Sequence, residues 1–584
     1  MRNSRVSTLS SAFQRTLLLL LCMGPTHSFL HAQEAAAELQ KKLHELTRRY
    51  EEERDKPPSE RSETLQAIGA LKTPEAAAFL TQVLREKKEQ KKEQQALQNI
   101  VKQTCVLALG EHGSREAVTA IVIYGFNVLP ERGWWVIREA LEKAKDPMAV
   151  DWLVTKGWKT TPALPPKAQQ ILVGALMGCG DPRAADAASR LVANRKCPPD
   201  VQVSLVKILK EHKHKGSAKK VAKLYRYDHK DLKVAVLLAL QAMEASEHSK
   251  IFYSALSCKY WEVRSVGVDI FGHTHDPEVL EKIVPLLEDK MPQVQVAAVH
   301  ALRRLGGKAS VDALVAALPA VSGRVQDDIA DVLLWLTGKD FGVDVVAWES
   351  WWEQKRETAE VVGISRADFD RIRAEQEGKN TGVYYGLRVI SEFVTFIIDS
   401  SGSMEEPYNI REEDEGKEGR KGSTGVRGKK KKKKKRWVKT RKIKRAQQEL
   451  VRALDGLKKG TEFNVIQFSG SFTPWRGELT PMSDESREES IEFVQMMTPG
   501  GMTNVYETLI YALEDPKVNT IYFLSDGAPT MGTYTDTQTI LEKVAEKNQA
   551  RKVKIHTIGF HLKPEEEELM RQLAEQNYGH FVQK

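Results

Sequence analysis

A repeated pattern in the middle of the chain restricts its fold most strongly. Five helical stretches align on valines, namely Val201, Val234, Val263, Val294 and Val325. Successive valines are 33, 29, 31 and 31 residues apart. Each period contains two helical stretches, and two short helices cannot bury their apolar faces alone. The pattern therefore predicts a solenoid of stacked helical units over residues 59–357.

The second helix of several units begins at an aspartate followed by proline, as at Asp146, Asp181 and Asp276. Proline suits the first helical turn, where its missing N–H is not needed. This arrangement of paired helices resembles HEAT repeats or their close PBS-lyase-type variant, and the resemblance weakens before residue 160. We therefore expect a long surface of the kind that HEAT arrays use for interactions.

The closing stretch AWESWW places Trp348, Trp351 and Trp352 on one helical face. We interpret this face as the end cap of the array, with an aromatic ligand-binding patch as the alternative. Before the array, residues 33–58 are predicted to form an amphipathic helix and a linker. This helix has apolar residues at helical spacing, and Pro57-Pro58 ends it.

The N-terminus has the features of a secretory signal peptide. Arg2, Arg5 and Arg15 precede the apolar run TLLLLLCMG, and a polar stretch then reaches Ala32. We predict a signal peptide over residues 1–32, cleaved near Ala32 or Gln33, and hence export to the periplasm, the cell envelope or the extracellular space. An uncleaved N-terminal anchor is the alternative. No other apolar run in the sequence approaches the roughly 20 residues that a membrane-spanning helix needs.

Four cysteines follow the predicted cleavage site: Cys105, Cys179, Cys197 and Cys258. None of them has CxxC spacing, which argues against a zinc site. Export permits a disulfide between Cys179 and Cys197, and buried free thiols are the alternative.

From Glu392 the sequence alternates between strands and helices. The strand-like stretches are FVTFII, EFNVIQFS, TIYFLSDG, VKIHTIGF and GHFVQ. This alternation predicts a mostly parallel sheet with helices on both faces over residues 392–584. The predicted fold class is thus multidomain. An N-terminal all-α helical-repeat solenoid is followed, after a linker at 358–391, by a doubly wound, Rossmann-like α/β domain.

Oxygen-bearing side chains gather after the predicted strands of this last domain. Asp399, Ser401 and Ser403 follow the first strand, Thr503 lies in a loop before a helix, and Asp526 follows the strand TIYFLS. Ligands of such sheets bind beyond the carboxyl ends of the strands. Two carboxylates and three hydroxyls, without imidazole or thiolate, suit Mg²⁺, Mn²⁺ or Ca²⁺ better than zinc or copper.

This segment resembles a von Willebrand factor type A domain, whose metal-ion-dependent adhesion site is written DxSxS, then Thr, then Asp. The five residues match all five positions in order. The resemblance implies a divalent ion, Mg²⁺ first and Mn²⁺ or Ca²⁺ otherwise, with one coordination position open for a partner's carboxylate. Catalysis would also need a base or nucleophile nearby, and His556, His561 and His580 form no obvious pair with one.

Between Ser403 and the next helix the sequence departs from the compact pattern of that family. Residues 405–437 contain an acidic block, 412–415, and a basic run made of Lys429, Lys430, Lys431, Lys432, Lys433, Lys434, Lys435 and Arg436. Nothing here can build a core, so we expect a disordered, solvated insertion. The alternative is a contact for acidic partners or an anionic envelope surface. The signal peptide, and the lack of aromatics between the basic residues, argue against nucleic acid.

Taken together, these features predict an exported, non-enzymatic scaffold or adhesion protein that binds an acidic partner group through a divalent ion. The solenoid supplies a second interaction surface. Two alternatives remain open: a solenoid that regulates or tethers an envelope enzyme, and a metal-dependent hydrolase.

Overall fold

The computed structural model describes residues 26–584 except 55, 87–91, 144–145, 158–163, 179–180, 195, 274–276, 377–382 and 412–436. The chain divides into two compact units, Met1–His248 and Ser249–Lys584. The basic run at 429–436, Cys179 and most of the predicted signal peptide lie outside the described residues, while Cys197 is a buried free thiol. Within the described residues, no helix has both the length and the apolar character required to span a membrane.

The first unit is helical throughout its described residues. Its α-helices are Thr26–Glu52, Pro58–Ala70, Pro74–Leu84, Lys92–His112, Arg115–Ala120, Phe126–Val128, Trp135–Glu142, Pro147–Trp152, Pro166–Gly178, Arg183–Leu191, Pro199–Glu211, Ala218–Leu224 and Lys230–Ala242. Short π-helical turns, Ile121–Gly125 and Leu153–Gly157, and 3₁₀ turns, Glu131–Gly133, Lys215–Ser217 and Ser246–His248, continue or connect them.

Local sequence explains where these helices begin. Asp146 accepts hydrogen bonds from the backbone N–H groups of Met148 and Ala149, and Pro147 occupies the first turn. Thr73 caps the helix that begins at Pro74 in the same way. Such caps satisfy backbone donors that have no partner within the helix. The aspartate-proline starts in the sequence are therefore physical helix signals.

The second unit begins with more helices of the repeat. They are Ser249–Ala255, Trp261–Phe271, Pro277–Ile283, Pro292–Leu305, Gly307–Ala317, Gly323–Thr337 and Val345–Lys355, with 3₁₀ turns at Val284–Glu288 and Leu318–Ala320. Trp348 and Trp352 of the closing helix are buried. The Trp352 indole N–H donates to Asp312 over 2.8 Å, so this ring contacts the repeat helix Gly307–Ala317.

An α/β domain completes this unit. Its strands are β1 (Val383–Tyr384), β2 (Leu387–Arg388), β3 (Phe393–Asp399), β4 (Pro407–Arg411), β5 (Trp437–Arg441), β6 (Glu462–Phe468), β7 (Phe472–Pro474), β8 (Thr480–Pro481), β9 (Thr520–Ser525), β10 (Lys554–Gly559) and β11 (Phe581–Gln583). Its helices are Arg366–Gln376, Lys442–Asp455, Asp484–Met496, Val505–Glu514, Thr537–Asn548 and Pro564–Gln576, with a 3₁₀ turn at Gly402–Glu405.

The main sheet has the order β11-β10-β9-β3-β6-β7, with β8 also paired to β6. All pairs from β11 to β6 are parallel, whereas β7 and β8 run antiparallel to β6. The chain passes from β3 outward to β6 and then returns to β9 on the other side of β3. Strand order therefore reverses between β3 and β9, which is where sheets of this type bind ligands.

Helices cover both faces of the sheet, as the sequence predicted. On one face, Phe396 and Leu524 pack with Leu450 of helix Lys442–Asp455. On the other face, Ile397 and Phe523 pack with a second set of helices. Because β3 and β9 are buried on both faces, their sequences are almost continuously apolar.

Residues 358–391, predicted as a linker, contain helix Arg366–Gln376 and the antiparallel ribbon β1–β2. Tyr384 of the ribbon is fully buried, with its ring 5.4 Å from Phe396 and 5.8 Å from Tyr522. This segment is folded against the sheet and is not a free spacer, because its aromatic residues cover one sheet face. The described ends of the predicted insertion also pair, as the ribbon β4–β5.

Candidate metal site and its surroundings

Four of the five predicted metal ligands are joined by hydrogen bonds at the point where strand order reverses. Asp399 ends β3, and its Oδ1 accepts the backbone N–H of Ser401 at 2.7 Å. The hydroxyl oxygens of Ser401 and Ser403 are 3.1 Å apart, and Ser403 donates to Asp526 Oδ1 at 2.7 Å. Residues 123 positions apart along the chain thus meet above β3 and β9.

The fifth predicted ligand, Thr503, lies in a loop that is fastened to the same turn. The Gly402 N–H donates to the Gly501 carbonyl at 3.1 Å, and the Gly500 N–H donates to the Ser400 carbonyl at 2.8 Å. Thr530 holds Thr503 from the other side, through its hydroxyl and its backbone N–H. Gly501 has a φ of +82°, a conformation that glycine adopts without strain.

The electrostatics of Asp399 and Asp526 differ. Asp399 is fully buried; burial, and to a smaller degree the neighbouring Asp526, raise its pKa to about 6. Hydrogen bonds from Ser525 and Ser401 oppose this shift, and no basic side chain pairs with Asp399 among the described residues. A buried carboxylate without a counter-charge is costly, and a bound cation would remove that cost.

Asp526, in contrast, has a cationic partner that sequence reasoning missed. Lys442 Nζ donates to Asp526 Oδ2 at 2.9 Å and to Glu406 at 2.7 Å. Its side chain is only 5% exposed. Burial opposes the charge on this lysine, but Asp526 and Glu406 outweigh burial and raise its pKa.

The donor set fits a hard divalent cation. It contains hydroxyl and carboxylate oxygens, which Mg²⁺ prefers, and one buried aspartate with no basic partner among the residues that the structure describes. Asp399, Ser401, Ser403, Thr503 and Asp526 are the residues that would hold such an ion, and this assignment remains a prediction.

Comparisons with known proteins agree with this architecture. Residues 432–584 match the family model of the von Willebrand factor type A domain, and residues 249–333 match that of HEAT repeats. The chain contains HEAT repeats and a von Willebrand factor type A domain. The type A match includes Thr503 and Asp526 but begins after the Asp399 turn, which the long insertion separates from it.

Several relatives share parts of the sequence. Human inter-alpha-trypsin inhibitor heavy chain H4 is 26% identical over 187 residues, covering 30% of this chain and 16% of the heavy chain. Human von Willebrand factor A domain-containing protein 3A is 28% identical over 120 residues, covering 20% of this chain and 10% of its own length. The matched regions thus span under a fifth of each relative.

One similar solved structure is a von Willebrand factor type A protein from Catenulispora acidiphila, at 19% identity and a TM-score of 0.24. It covers 34% of this chain and 39% of that chain.

The candidates for a catalytic base in the type A domain are His556, His561 and His580. His556 is buried and His580 is partly buried, in a stack with Tyr522 and Phe369, and the two imidazole rings are 5.3 Å apart. His580 Nε2 lies 3.2 Å from Asp331, a residue of the repeat helix Gly323–Thr337. Burial lowers the pKa of both histidines. The two histidines thus contact aromatic rings and the repeat helix Gly323–Thr337, which indicates a structural role for both.

A second acidic cluster lies at the amino-terminal ends of the strands, and sequence reasoning missed it as well. Asp327, Asp328 and Asp331 offer oxygens within 4.8 Å of one another. Lys554 Nζ, at the start of β10, bonds to all three at 3.0, 2.6 and 3.4 Å. Arg324, Arg373 and Arg388 complete the cluster. Since the protein provides the cations, this cluster is an ion-pair network and not a metal centre.

Two exposed methionines flank the candidate metal site. Met502 precedes Thr503 and is 50% exposed, and Met531 follows Thr530 and is 45% exposed. The Met531 sulfur comes within 3.2 Å of where a Cβ on Gly470 would be, so its side chain lies over that loop. The oxygen cluster therefore has apolar neighbours.

Proposed function

We propose that this chain is an exported, non-enzymatic binding protein. In this proposal Asp399, Ser401, Ser403, Thr503 and Asp526 hold a divalent ion, Mg²⁺ first among the candidates, and a carboxylate of a protein partner completes its coordination. The type A domain is a protein-interaction domain, and the HEAT array supplies a second interaction surface.

One observation supports this proposal above all others. The hydrogen bonds that join Asp399, Ser401, Ser403 and Asp526 bring together oxygens from two strand ends, while Asp399 is buried without a basic partner in the part of the chain that the structure describes. A protein that needed these residues only for stability would gain from pairing that charge, as it does at Asp327, Asp328 and Asp331.

The residues around the site favour an acidic partner. A bound divalent ion would supply positive charge and an open coordination position. Lys442 adds a buried positive charge beside Asp526, which partly offsets the two aspartates. Glu406 also bonds Lys442, but its side chain is 62% exposed and water screens its charge more strongly. The summed potential at the opening then attracts carboxylates.

Met502 and Met531 suggest how a partner protein would be held beside its carboxylate. Methionine is flexible and polarisable, and it adapts to partners of different shape. A partner with apolar side chains next to an acidic residue would cover both exposed methionines.

The decisive experiment is calorimetric titration of the mature chain with Mg²⁺, Mn²⁺ and Ca²⁺. We expect saturable binding of one ion, and a loss of more than about tenfold in affinity in Asp399→Ala. Asp536→Ala is the matched control, because Asp536 is an exposed helix cap of the same domain that accepts from Thr539. Absence of any divalent binding would refute the proposal.

Partner binding is tested with a synthetic peptide that contains a single glutamate between apolar residues. Binding should require the divalent ion, disappear in EDTA and be weakened in Asp399→Ala. Binding that is equal with and without the ion would contradict the role proposed for the metal.

Two other functions remain to be distinguished. If the array tethers or regulates an envelope enzyme, an enzyme should be recovered from envelope extracts by the wild-type chain and by Asp399→Ala alike. If the chain is a metal-dependent hydrolase, a panel of ester, peptide and phosphate substrates should reveal turnover that Asp399→Ala abolishes. The burial of His556 argues against its use as a catalytic base in such a hydrolase.

A further inference from the structure

A cleft separate from the metal site lies between repeat helices and the last helix of the type A domain. Its volume is about 460 Å³. Its lining includes His300, Arg303, Arg304, Trp335, Glu575 and Tyr578. Tyr578, which lines the cleft, comes just before β11 in the chain, and β11 is parallel to β10. The cleft therefore lies near the amino-terminal ends of the strands, whereas the predicted metal ligands lie at the carboxyl ends.

Two buried nitrogens at this cleft have no hydrogen-bond partner in the described part of the chain, and a partly buried guanidinium beside them forms no ion pair there. The Arg303 guanidinium stacks over the Trp335 ring at 3.8 Å but has no ion pair. Nε of Arg304 and Nε2 of His300 are both buried without a hydrogen bond, although Asp328 Oδ2 lies 4.0 Å from the His300 nitrogen. Buried polar groups are nearly always hydrogen-bonded, so two such nitrogens at one cleft indicate a missing acceptor.

The acidic residues near the cleft are used elsewhere. Asp328 and Asp331 form ion pairs with Lys554 and with Arg324 and Arg373, respectively. Asp269 pairs with Arg304 NH2 and with Lys552. Glu575 is exposed at the rim of the cleft. Among the described residues Arg303 therefore forms no ion pair, and only the more distant Asp331 acts on its charge.

We propose that this cleft binds a small oxyanion, a phosphate or a carboxylate, between the Arg303 guanidinium and the buried nitrogens of His300 and Arg304. An oxyanion accepts several hydrogen bonds at once, and a guanidinium offers them in a planar fork that matches phosphate and carboxylate geometry. Trp335 orients the guanidinium by stacking and leaves its edge free to donate.

The acid–base behaviour of Arg303 agrees with this assignment. Burial, followed by the guanidiniums of Arg366 and Arg304, lowers its pKa to about 10. Arg303 remains charged at neutral pH, but its surroundings oppose the charge. A bound anion would relieve that opposition. The cleft is independent of the function proposed for the metal site, since none of the predicted metal ligands lines it.

The test is calorimetric titration of the mature chain with sodium phosphate and, separately, with sodium succinate, at fixed ionic strength in chloride buffer. We expect a dissociation constant below about 1 mM for at least one of the two anions. Binding of phosphate alone, or of succinate alone, identifies the source of the oxyanion, and binding of both supports the shared chemistry.

Arg303→Met keeps the apolar stem over Trp335 and removes the charge; it should weaken binding at least tenfold. Arg476→Met is the matched control, because Arg476 also stacks on a tryptophan, Trp475, but is paired with Glu489. That variant should keep its affinity within about twofold. Should Arg303→Met fail to fold, Arg303→Lys keeps a positive charge and should bind phosphate more weakly than wild type.

The proposal is overturned if neither anion gives heat up to about 10 mM. It is equally overturned if Arg303→Met binds the anions as tightly as wild type. Thermal melting without added anion separates a binding role from a structural one. A binding arginine should leave the melting temperature of Arg303→Met unchanged or raised, since an unbalanced buried charge has been removed.

Discussion

The aspartates clustered at the two ends of the type A sheet have different neighbouring groups. At the amino-terminal ends of β9 and β10, Asp327, Asp328 and Asp331 are buried with Lys554 and three arginines. At the carboxyl ends, Asp399 is buried with hydroxyls and backbone N–H groups, and Lys442 bonds Asp526 but not Asp399.

The presence or absence of basic partners distinguishes a structural acidic cluster from a candidate metal site. Carboxylates lie close together at both ends of the sheet. The three aspartates at the amino-terminal ends have oxygens within 4.8 Å of one another, near enough to hold one metal ion. What separates the ends is the supply of counter-charge. A cluster neutralised by its own lysine and arginines stabilises the contact between repeat helix and sheet. A cluster left unbalanced is free to take an external cation.

The largest expected effect comes from removing the central lysine of the neutralised cluster. Burial disfavours its charge, but the three aspartates outweigh burial and raise the pKa of Lys554. Lys554→Met would leave three buried carboxylates short of a partner and lower the free energy of unfolding by about 3–5 kcal/mol. Urea denaturation monitored by circular dichroism measures this.

Lys517→Met is the control for that experiment, because the Lys517–Glu462 pair is largely exposed. It should change the free energy of unfolding by less than about 1 kcal/mol. Equal effects of the two substitutions would contradict the distinction between the ends.

The next prediction concerns the sign of two aspartate substitutions in EDTA. Asp399→Asn should stabilise the metal-free chain at pH 7 by up to about 3 kcal/mol, because its folded-state pKa of about 6 lies above the usual value. Asp331→Asn should destabilise it. Although burial acts in the other direction, Arg373 and Lys554 hold the pKa of Asp331 well below its usual value.

The pH dependence of these two effects follows from the same shifts. The penalty from ionised Asp399 is present above about pH 6 and disappears as the pH falls toward 4, so the gain in Asp399→Asn should vanish there. The stabilisation from Asp331 is present at neutral pH and is lost only as the pH falls below about 4. Denaturation midpoints at pH 7, 5.5 and 4 test both signs, and a destabilising Asp399→Asn in EDTA would remove the argument for an unbalanced charge.

A smaller effect is expected at Lys442, which bonds the predicted metal ligand Asp526. Lys442→Met should increase affinity for Mg²⁺, because a like charge beside the ion is removed, and decrease affinity for the glutamate peptide at saturating Mg²⁺. Each change should be about tenfold, or roughly 1.4 kcal/mol. Calorimetry measures both constants on one sample.

An electrostatic role for Lys442 requires that the affinity for Mg²⁺ rises while the affinity for the peptide falls. A loss of both affinities would instead mean that Lys442 only maintains the shape of the loop. Lys444→Met, two positions further along the same helix and exposed, is the control.

The smallest effect concerns the basic insertion. Arg411 and Trp437 are register partners in the ribbon β4–β5. An Asn-Gly turn could therefore join them and replace residues 412–436. If the lysine run steers acidic ligands, the shortened chain should bind the glutamate peptide about threefold more slowly at low salt, with no difference at high salt. Stopped-flow rates that are identical at all salt concentrations would leave the run as a solvated surface segment.

Much of this architecture could be predicted from sequence, for local physical reasons. Helix periodicity and aspartate-proline starts marked the repeats, and doubly buried strands read as apolar runs. The DxSxS turn, Thr503 and Asp526 stood out because chemistry in such sheets lies just after the strands. The short antiparallel strands β7 and β8 were missed, since two or three residues carry no periodic signal.

Helix caps, apolar spacing and strand ends act over a few residues, so the secondary structure of each segment follows from its local sequence. Which charged side chains pair with each other follows only from the folded arrangement. Lys442 lies in a stretch crowded with basic residues, and nothing local marks it as the partner of Asp526, 84 positions away. Lys554 meets Asp327 across 227 positions. Long-range pairing sets the balance of buried charge, and that balance distinguishes an ion-pair cluster from a candidate metal site.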